Sequence, residues 1–357
     1  MSDNAYELKH IHTAFETNWI APIGENITVF EQGLKAYLNV PYAMALSSGT
    51  ASLHMALKAI QIKPGDVVLC QDLTFAASVF PVLYEQGIPV FIDSDLETWN
   101  MCPIALEKAL REEANVKAVI VVHLYGLPAN IEIIKDLCHK YNVMLIEDAA
   151  EALGATVNLK QCGTFGDLGI YSFNGSKVIT TSSGGMVVTH NESYYKRIQY
   201  VSNQAKAPTR HYEHHDIGYN YRLSNVLAGI GVGQLNVLEQ RLARKRAIYA
   251  LYKKHLSGLD GVTMMPENIH MNPSYWLSCF LTTKVNPLTI IEALETNHIE
   301  ARPLWKPMHQ QPIFKDFTQG PLKNSAYLYE HGVCLPSGTA LTDDDIMRII
   351  HVIQGCF

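Results

Sequence analysis

The sequence predicts an α/β fold, with a large domain built on a mostly parallel sheet with helices on both faces and a smaller C-terminal α+β domain. Between residues 43 and 189, short apolar runs alternate repeatedly with segments of helical periodicity. This alternation is typical of a mostly parallel sheet covered on both faces. The long charged-and-apolar run LEQRLARKRAIYALYKKHL then changes the composition and predicts a connecting helix. We therefore place the domains at residues 1–240, including an N-terminal segment, and 241–357.

Composition narrows the class of protein. The chain has 357 residues, which is enough for two hydrophobic cores. Its 28 Lys and Arg oppose 34 Asp and Glu, so a net charge of −6 gives no overall attraction to nucleic acid or an anionic membrane. The first residues lack signal-peptide character, and no apolar run approaches the roughly 20 residues of a membrane helix. Seven dispersed cysteines without a C-x-x-C pair argue against a disulfide framework or a zinc site. We expect a cytoplasmic protein with no metal, nucleic-acid or membrane partner.

The first predicted strand leads into a candidate anion site. Before it, a helix is predicted from about residue 27, and Trp19 precedes that helix either as a packing residue or as a lip facing a ligand. Strand Ala43–Leu46 then turns through small residues into a helix over residues 51–60. Free N–H groups and the helix dipole at that helix start suit a phosphate. A simple N-cap by Ser48 or Thr50 is the alternative.

The next elements repeat this pattern. Strands are predicted over residues 67–70, 89–92, 116–122 and 143–146, and helices over residues 76–86, 101–113 and 131–141. Ligands of such sheets bind at the carboxyl ends of the strands. Positions of that kind are occupied by Thr50, Phe75, Asp148 and Lys177. Their shared placement predicts a site.

Lys177 lies in a small polar loop between two apolar runs, within LGIYSFNGSKVITTSSGGMVVT. A lysine that is desolvated in such a loop has a lowered pKa and becomes a nucleophile toward carbonyls. The alternative is a hairpin whose lysine points into water.

The C-terminal domain offers a second candidate surface. Strands are predicted within SYWLSCFLTT and over residues 332–335, and helices over residues 289–297 and 343–353. Between them, the segment from Arg302 to His309 sets aromatic and basic side chains on a proline-stiffened loop. This composition indicates a ligand surface.

Two other patterns are discounted. His211, His214 and His215 lack the helical spacing of a metal site and have acidic residues interleaved. Gly229, Gly231 and Gly233 follow no strand and lie inside a predicted helix, which indicates close helix packing and not a dinucleotide loop.

The candidate residues together suit pyridoxal 5′-phosphate. The aldehyde of this cofactor requires an amine, which Lys177 supplies, and its protonated pyridine nitrogen requires a carboxylate such as Asp148. Phe75 offers a flat apolar partner for the ring. The phosphate requires N–H and hydroxyl donors, which Gly49, Thr50 and Ser172 offer.

The chain resembles the DegT/DnrJ/EryC1/StrS family of sugar aminotransferases along essentially its whole length. The matching blocks include NWIAPIG, SSGTASLHMAL, DLTFAAS, VVHLYG, IEDAAEALGA, YSFNGSK, IGYNYRLSN, ARPLWKPMHQQP and CLPSGTALT. The resemblance implies fold type I of the pyridoxal-phosphate enzymes, with a mostly parallel seven-stranded sheet, in a homodimer with shared active sites.

The same resemblance implies a role for each matching residue. Lys177 is the lysine that binds the cofactor covalently, Asp148 faces the pyridine nitrogen and Phe75 stacks on the ring. The phosphate positions are Gly49, Thr50, Ser172 and Asn174, with Asn220 reaching the phosphate from the partner subunit. Many relatives carry Gln where this chain has Glu151, so that cofactor contact is the least certain.

The subfamily blocks resemble enzymes that transfer the amino group of L-glutamate to C4 of a nucleotide-linked 4-keto-6-deoxy sugar, leaving 2-oxoglutarate. Transaminases that make UDP-4-amino-4,6-dideoxy-N-acetylglucosamine rank first, and GDP-perosamine synthases second. Candidate sugar contacts are Trp19, Trp305, Lys306 and His309, with packing or solvation as the alternative for each.

Three other classes compete. A sugar dehydratase of the same fold carries His in place of the covalent lysine, so Lys177 argues against a lyase. A ligand-binding protein without turnover is disfavoured by the intact Lys177 and Asp148. An NAD-dependent oxidoreductase would need a Gly-rich turn after its first strand, which this chain lacks.

Overall fold

The computed structural model describes residues 1–317 and 322–357. In chain order its helices and strands are α1 (Tyr6–Glu16), α2 (Glu25–Leu38), β1 (Tyr42–Leu46), α3 (Gly49–Ala59), β2 (Val67–Gln71), α4 (Phe80–Tyr84), β3 (Ile88–Ile92), α5 (Pro103–Glu112), β4 (Val116–Val122), α6 (Ile131–Lys140), β5 (Met144–Asp148), β6 (Thr156–Val157), β7 (Lys160–Gln161), β8 (Leu168–Ser172), β9 (Gly185–Thr189), α7 (Glu192–Val201), α8 (Asn225–Leu235), α9 (Leu238–Leu256), β10 (Val262–Met264), β11 (Met271–Asn272), β12 (Ser278–Thr282), α10 (Pro287–Thr296), β13 (Arg302–Pro303), α11 (Lys323–His331), β14 (Gly332–Leu335) and α12 (Asp343–Gln354). Short 3₁₀ helices cover Ala76–Ser78, Leu124–Gly126, Met308–Gln310 and Pro312–Phe317.

A seven-stranded sheet forms the centre of the molecule, in the order β1-β9-β8-β5-β4-β2-β3. Strands β8, β5, β4, β2 and β3 run parallel, whereas β9 is antiparallel to both of its neighbours. The predicted mostly parallel α/β sheet is therefore confirmed.

Both faces of this sheet are buried, as strand β4 illustrates. Val119 and Val121 belong to the hydrophobic core that includes α2 and α6. Ala118 and Ile120 point the other way, into the core formed with α3. Side chains alternate across a strand, so an uninterrupted apolar run is expected wherever helices cover both faces.

One predicted helix is broken. The segment predicted as a helix over residues 76–86 forms a 3₁₀ turn, Ala76–Ser78, and then the short α4. Pro81 lies in the first turn of α4, and proline has no N–H with which to continue a preceding helix. This break turns Ser78 toward the carboxyl end of β5.

The C-terminal part contains a four-stranded antiparallel sheet, β10-β12-β14-β13, packed with α9, α10 and α12 around a third core. The predicted connecting helix coincides with α9. The short strand β11 pairs with β6, which joins this part to the large sheet region. In the residues that the structure describes, no helix combines the length and apolar character needed to cross a membrane.

The glycines of α8 pack closely against the N-terminal helices, as expected. A Cβ built on Gly233 would lie 2.5 Å from the backbone nitrogen of Glu7, and one on Gly229 would lie 3.1 Å from the Cβ of His10. Helix α1 can therefore approach α8 only where a side chain is missing.

We predict that Gly233→Ala lowers the free energy of unfolding by about 1–3 kcal/mol, since overpacking forces backbone shifts of that cost. Gly258→Ala is the matched control, because a Cβ there meets no atom within 4 Å. Denaturant unfolding of both variants measures the difference. Equal stability of the two variants would contradict the packing argument.

Candidate active site

Lys177 lies in the loop between β8 and β9, at the carboxyl end of the sheet. The loop is closed by backbone bonds from Phe173 N–H to Gly184 O (2.8 Å) and from Lys177 N–H to Asn174 O (3.0 Å). The Lys177 side chain is only 13% exposed. Its Nζ lies 3.3 Å from Glu151 Oε1 and 3.8 Å from the centre of the Trp276 ring. The amine is therefore held in a cavity wall and does not point into water.

Glu151 is a buried carboxyl that takes one partner on each oxygen. Oε1 faces Lys177, and Oε2 accepts a hydrogen bond from the backbone N–H of Tyr125 (2.7 Å). Burial raises the pKa of Glu151 from its ordinary 4.5 to about 7, although the positive charge of Lys177 opposes that rise. Glu151 therefore changes charge near neutral pH.

Asp148 ends β5 and is 7% exposed. Its Oδ2 accepts a hydrogen bond from the Ser78 hydroxyl (2.7 Å), and its Oδ1 accepts one from the Ala150 N–H (3.1 Å). The Ser78 hydroxyl lies 2.8 Å from that of Thr74. Hydrogen bonds from two sides fix the direction of this carboxyl group.

Helix α3 starts in the same cavity. The Ser48 side chain caps the helix by accepting a hydrogen bond from Ala51 N–H (3.0 Å), so the N-cap alternative is correct for Ser48. That cap leaves the N–H groups of Gly49 and Thr50, which precede Ala51, for another acceptor. A Cβ on Gly49 would lie 3.0 Å from the Cβ of Ser172, so glycine allows β8 to approach the helix start.

These residues line a cavity of about 830 Å³. Nine of the predicted site residues contribute to its wall: Gly49, Thr50, Phe75, Asp148, Glu151, Ser172, Asn174, Lys177 and Trp305. The remainder of the wall includes Ser78, Trp276, Arg302, Leu335, Ser337 and Arg348. The large sheet and the C-terminal part thus meet around the candidate lysine.

Four predicted residues lie elsewhere in this chain. Trp19 is 53% exposed and lines a separate groove beside α1 and α2. Asn220 is exposed and forms a bridge with Asn203, and Lys306 is also exposed. The His309 ring approaches buried Asp72, with Nδ1 2.7 Å from its Oδ2.

A model of the DegT/DnrJ/EryC1/StrS aminotransferase family matches residues 2–354. The chain belongs to this family. It is 46% identical over 360 residues to EpsN of Bacillus subtilis (strain 168), across 98% of this chain and 93% of EpsN. The name of EpsN describes it as an inferred pyridoxal phosphate-dependent aminotransferase.

Two further similar proteins support the assignment to this family. A GDP-perosamine synthase of Escherichia coli O157:H7 is 36% identical over 350 residues, across 98% of this chain and 94% of the relative. A solved DegT DnrJ EryC1 StrS aminotransferase from Brucella abortus has a TM-score of 0.92 at 27% identity, across 99% of this chain and 95% of that chain. The protein is a pyridoxal-phosphate-dependent sugar aminotransferase of fold type I.

The side chains of this aminotransferase fit its cofactor. Lys177 offers an amine, Asp148 a buried carboxyl group, and the start of α3 two N–H groups beside the Ser172 hydroxyl. Phe75 is 57% exposed, and its ring lies 5.4 Å from that of Trp305. The chemistry of this donor set matches an aldehyde, a pyridine nitrogen and a phosphate.

Three residues at or beside the cavity, Trp276, Ser78 and Tyr125, were not predicted as site residues from the sequence. Trp276 was within a predicted strand, and its indole N–H donates to Ser176 O (2.6 Å) beside Lys177. Ser78 was within the predicted helix that Pro81 breaks. Tyr125 gave no signal beyond the VVHLYG block. Of these three, Trp276 could have been found by its residue type, because it is a tryptophan within the predicted strand segment SYWLSCFLTT.

We predict that the stability of the cofactor-free protein falls as pH rises from 4.5 to 7, because the folded state binds a proton at Glu151 that the unfolded state releases. The raised pKa makes this contribution complete below pH 4.5 and lost above pH 7, with a size of up to about 3 kcal/mol. Glu151→Gln should remove it. Denaturant unfolding across this pH range measures the slope, with exposed Glu16→Gln as the control. A wild-type slope retained in Glu151→Gln would exclude Glu151 as its source.

Proposed function

We propose that this protein transfers the amino group of L-glutamate to C4 of a nucleotide-linked 4-keto-6-deoxy sugar for the synthesis of a surface glycan. The first candidate substrate is UDP-2-acetamido-2,6-dideoxy-4-ketohexose, with UDP-4-amino-4,6-dideoxy-N-acetylglucosamine as product. The observation that carries the proposal is the cavity itself, since it joins Lys177 and Asp148 to a wall containing Trp305 and Leu335. A volume of about 830 Å³ has room for a substrate beside a cofactor.

Pyridoxal phosphate, when bound, supplies an electron sink for the carbon that carries the amino group. The residues of this chain would hold and orient it. Gly49, Thr50 and Ser172 would donate hydrogen bonds to its phosphate, with Asn174 on the same cavity wall. Asp148, whose direction Ser78 and Ala150 fix, would present its carboxyl group to the ring nitrogen. Phe75 would cover the ring.

Lys177 is the group that would take a proton from the carbon that carries the amino group. Its amine must alternate between charged and neutral forms, which lysine can do and arginine cannot, because a guanidinium stays protonated. Glu151 and the Trp276 ring hold the amine within reach of the cavity. The side chains of Lys177 and Glu151 are only 13% and 4% exposed, so their interaction is stronger than it would be in bulk water.

The sugar end of the cavity lies toward the C-terminal part. Trp305 tilts against Phe75, with ring centres 5.4 Å apart, and against Trp276 at 6.1 Å. Two of the sequence blocks that suggest a 4-keto sugar, ARPLWKPMHQQP and CLPSGT, contribute Trp305 and Leu335 to this wall. Lys306 and His309 follow Trp305 on the same loop, as further candidates for nucleotide contacts.

We propose that a homodimer with shared sites accounts for Asn220 and Trp19, two of the predicted residues that lie outside the cavity of one chain. Asn220 is exposed in one chain, and the family resemblance assigns it to the partner's phosphate site. Trp19, Ile20 and Ile23 form an exposed apolar segment of the kind that marks an interface. We propose that a second copy covers this segment.

A GDP-linked sugar is the second candidate, because a GDP-perosamine synthase is among the relatives. The deciding experiment supplies L-glutamate with either the UDP-linked or the GDP-linked 4-keto-6-deoxy sugar and measures the amino sugar by mass spectrometry. Product with the UDP sugar at the higher kcat/KM is expected. A preference for the GDP sugar would reverse the order, and no product with either would refute the proposal.

We predict that Lys177→Ala retains cofactor but loses at least about 10³-fold in transfer rate, because the amine that we propose moves the proton is missing. Lys177→Arg should fail equally. Exposed Lys63→Ala is the control. Formation of 2-oxoglutarate and the cofactor absorbance measure the two properties separately. Normal transfer by Lys177→Ala would show that the role of Lys177 is misassigned.

A further inference from the structure

Tyr125 is fully buried and has a left-handed backbone, with φ 55° and ψ 15°. An aromatic residue in this region costs roughly 1–2 kcal/mol relative to an ordinary conformation. Such a conformation persists only where the surroundings determine it. Three polar groups of Tyr125 form hydrogen bonds that hold it in this conformation.

Each group binds a different part of the cavity wall. The Tyr125 N–H donates to Glu151 Oε2 (2.7 Å), and its carbonyl accepts from the Leu277 N–H (3.4 Å). Its hydroxyl accepts from the Trp305 N–H (2.9 Å). These partners follow β5, precede β12 and follow β13, so one residue joins three separate elements.

The ring of Tyr125 supports the same wall from behind. Its centre lies 4.9 Å from that of Trp305 and 6.5 Å from that of Trp276. All three hydrogen-bond partners line the cavity. Burial raises the pKa of Tyr125 well above 10, so its hydroxyl keeps its proton at any working pH.

We propose that Tyr125 is a positioning residue that sets the distance between the Lys177 end of the cavity and the sugar end at Trp305. Its N–H fixes the carboxyl group that holds the Lys177 amine, while its hydroxyl fixes the backbone that carries the Trp305 ring. The role in sugar binding rests on the proposed function.

The hydroxyl can be removed without loss of the ring. In Tyr125→Phe the backbone bond to Glu151 is retained, whereas the half-buried Trp305 N–H loses its acceptor. A lost hydrogen bond of ordinary strength corresponds to about tenfold in an equilibrium constant. We therefore expect the KM for the keto sugar to rise about tenfold with kcat changed less than about threefold. The shift of the cofactor absorbance on adding L-glutamate should stay as in wild type.

Tyr249→Phe is the matched control, because Tyr249 is also buried and its hydroxyl donates to Met265 O (2.8 Å) away from the cavity. Both variants should lose similar stability, but only Tyr125→Phe should raise the KM. Equal KM values for the two variants would overturn the proposal. A loss in the glutamate half-reaction of Tyr125→Phe as large as its loss in the sugar half-reaction would also overturn it.

Hydrogen exchange of the cofactor-loaded protein tests the contact without a sugar. The peptide that contains Trp305 should exchange one amide about tenfold faster in Tyr125→Phe and at the wild-type rate in Tyr249→Phe. Unchanged exchange overturns the proposal. If wild type aminates neither sugar, the proposed function fails, and this exchange result alone decides whether Tyr125 positions Trp305.

Discussion

The buried pair of Lys177 and Glu151 is the interaction on which the site depends. A lysine at the carboxyl end of β8 would reach toward water if nothing held it. The carboxyl of Glu151, at 3.3 Å, and the Trp276 ring, at 3.8 Å, hold the amine in the wall instead. These partners follow β5 and precede β12, so the position of the amine requires the large sheet and the C-terminal sheet to be docked together.

Buried contacts maintain that docking. Lys245 of α9 is 5% exposed, and its amine donates to Trp276 O (2.8 Å) and Ser337 O (2.7 Å). On the opposite side, Asp72 after β2 accepts a hydrogen bond from the His309 N–H (2.9 Å). A buried charge is stable only while its partners stay in place. Separation of the two parts would therefore leave Lys245 and Asp72 without these partners. The free-energy cost of that loss keeps the cavity walls together.

The sequence was informative wherever a local pattern determined the structure. Parallel strands bring their carboxyl ends to one edge, so Thr50, Phe75, Asp148 and Lys177 could be grouped from alternation alone, and the cavity does bring them together. The domain boundary at residue 240 and the roles of the site residues stay predictions. Contacts between residues far apart in the chain could not be predicted from the sequence. Trp276 and Tyr125 reach the site through chain segments about 100 and 50 residues away from Lys177, and no local periodicity encodes such pairs.

The two partners of Glu151 also explain why a carboxyl group suits this position. Both Lys177 Nζ and Tyr125 N–H are donors, so each oxygen must accept. A carboxylate offers two acceptor oxygens, whereas the amide of glutamine offers one. Burial disfavours the charged form, and the positive amine offsets that cost. When Lys177 gives up its charge to react, Glu151 therefore tends to gain a proton. Oε2 keeps its bond to Tyr125 in either form, so the carboxyl group stays in place while Oε1 changes from acceptor to donor.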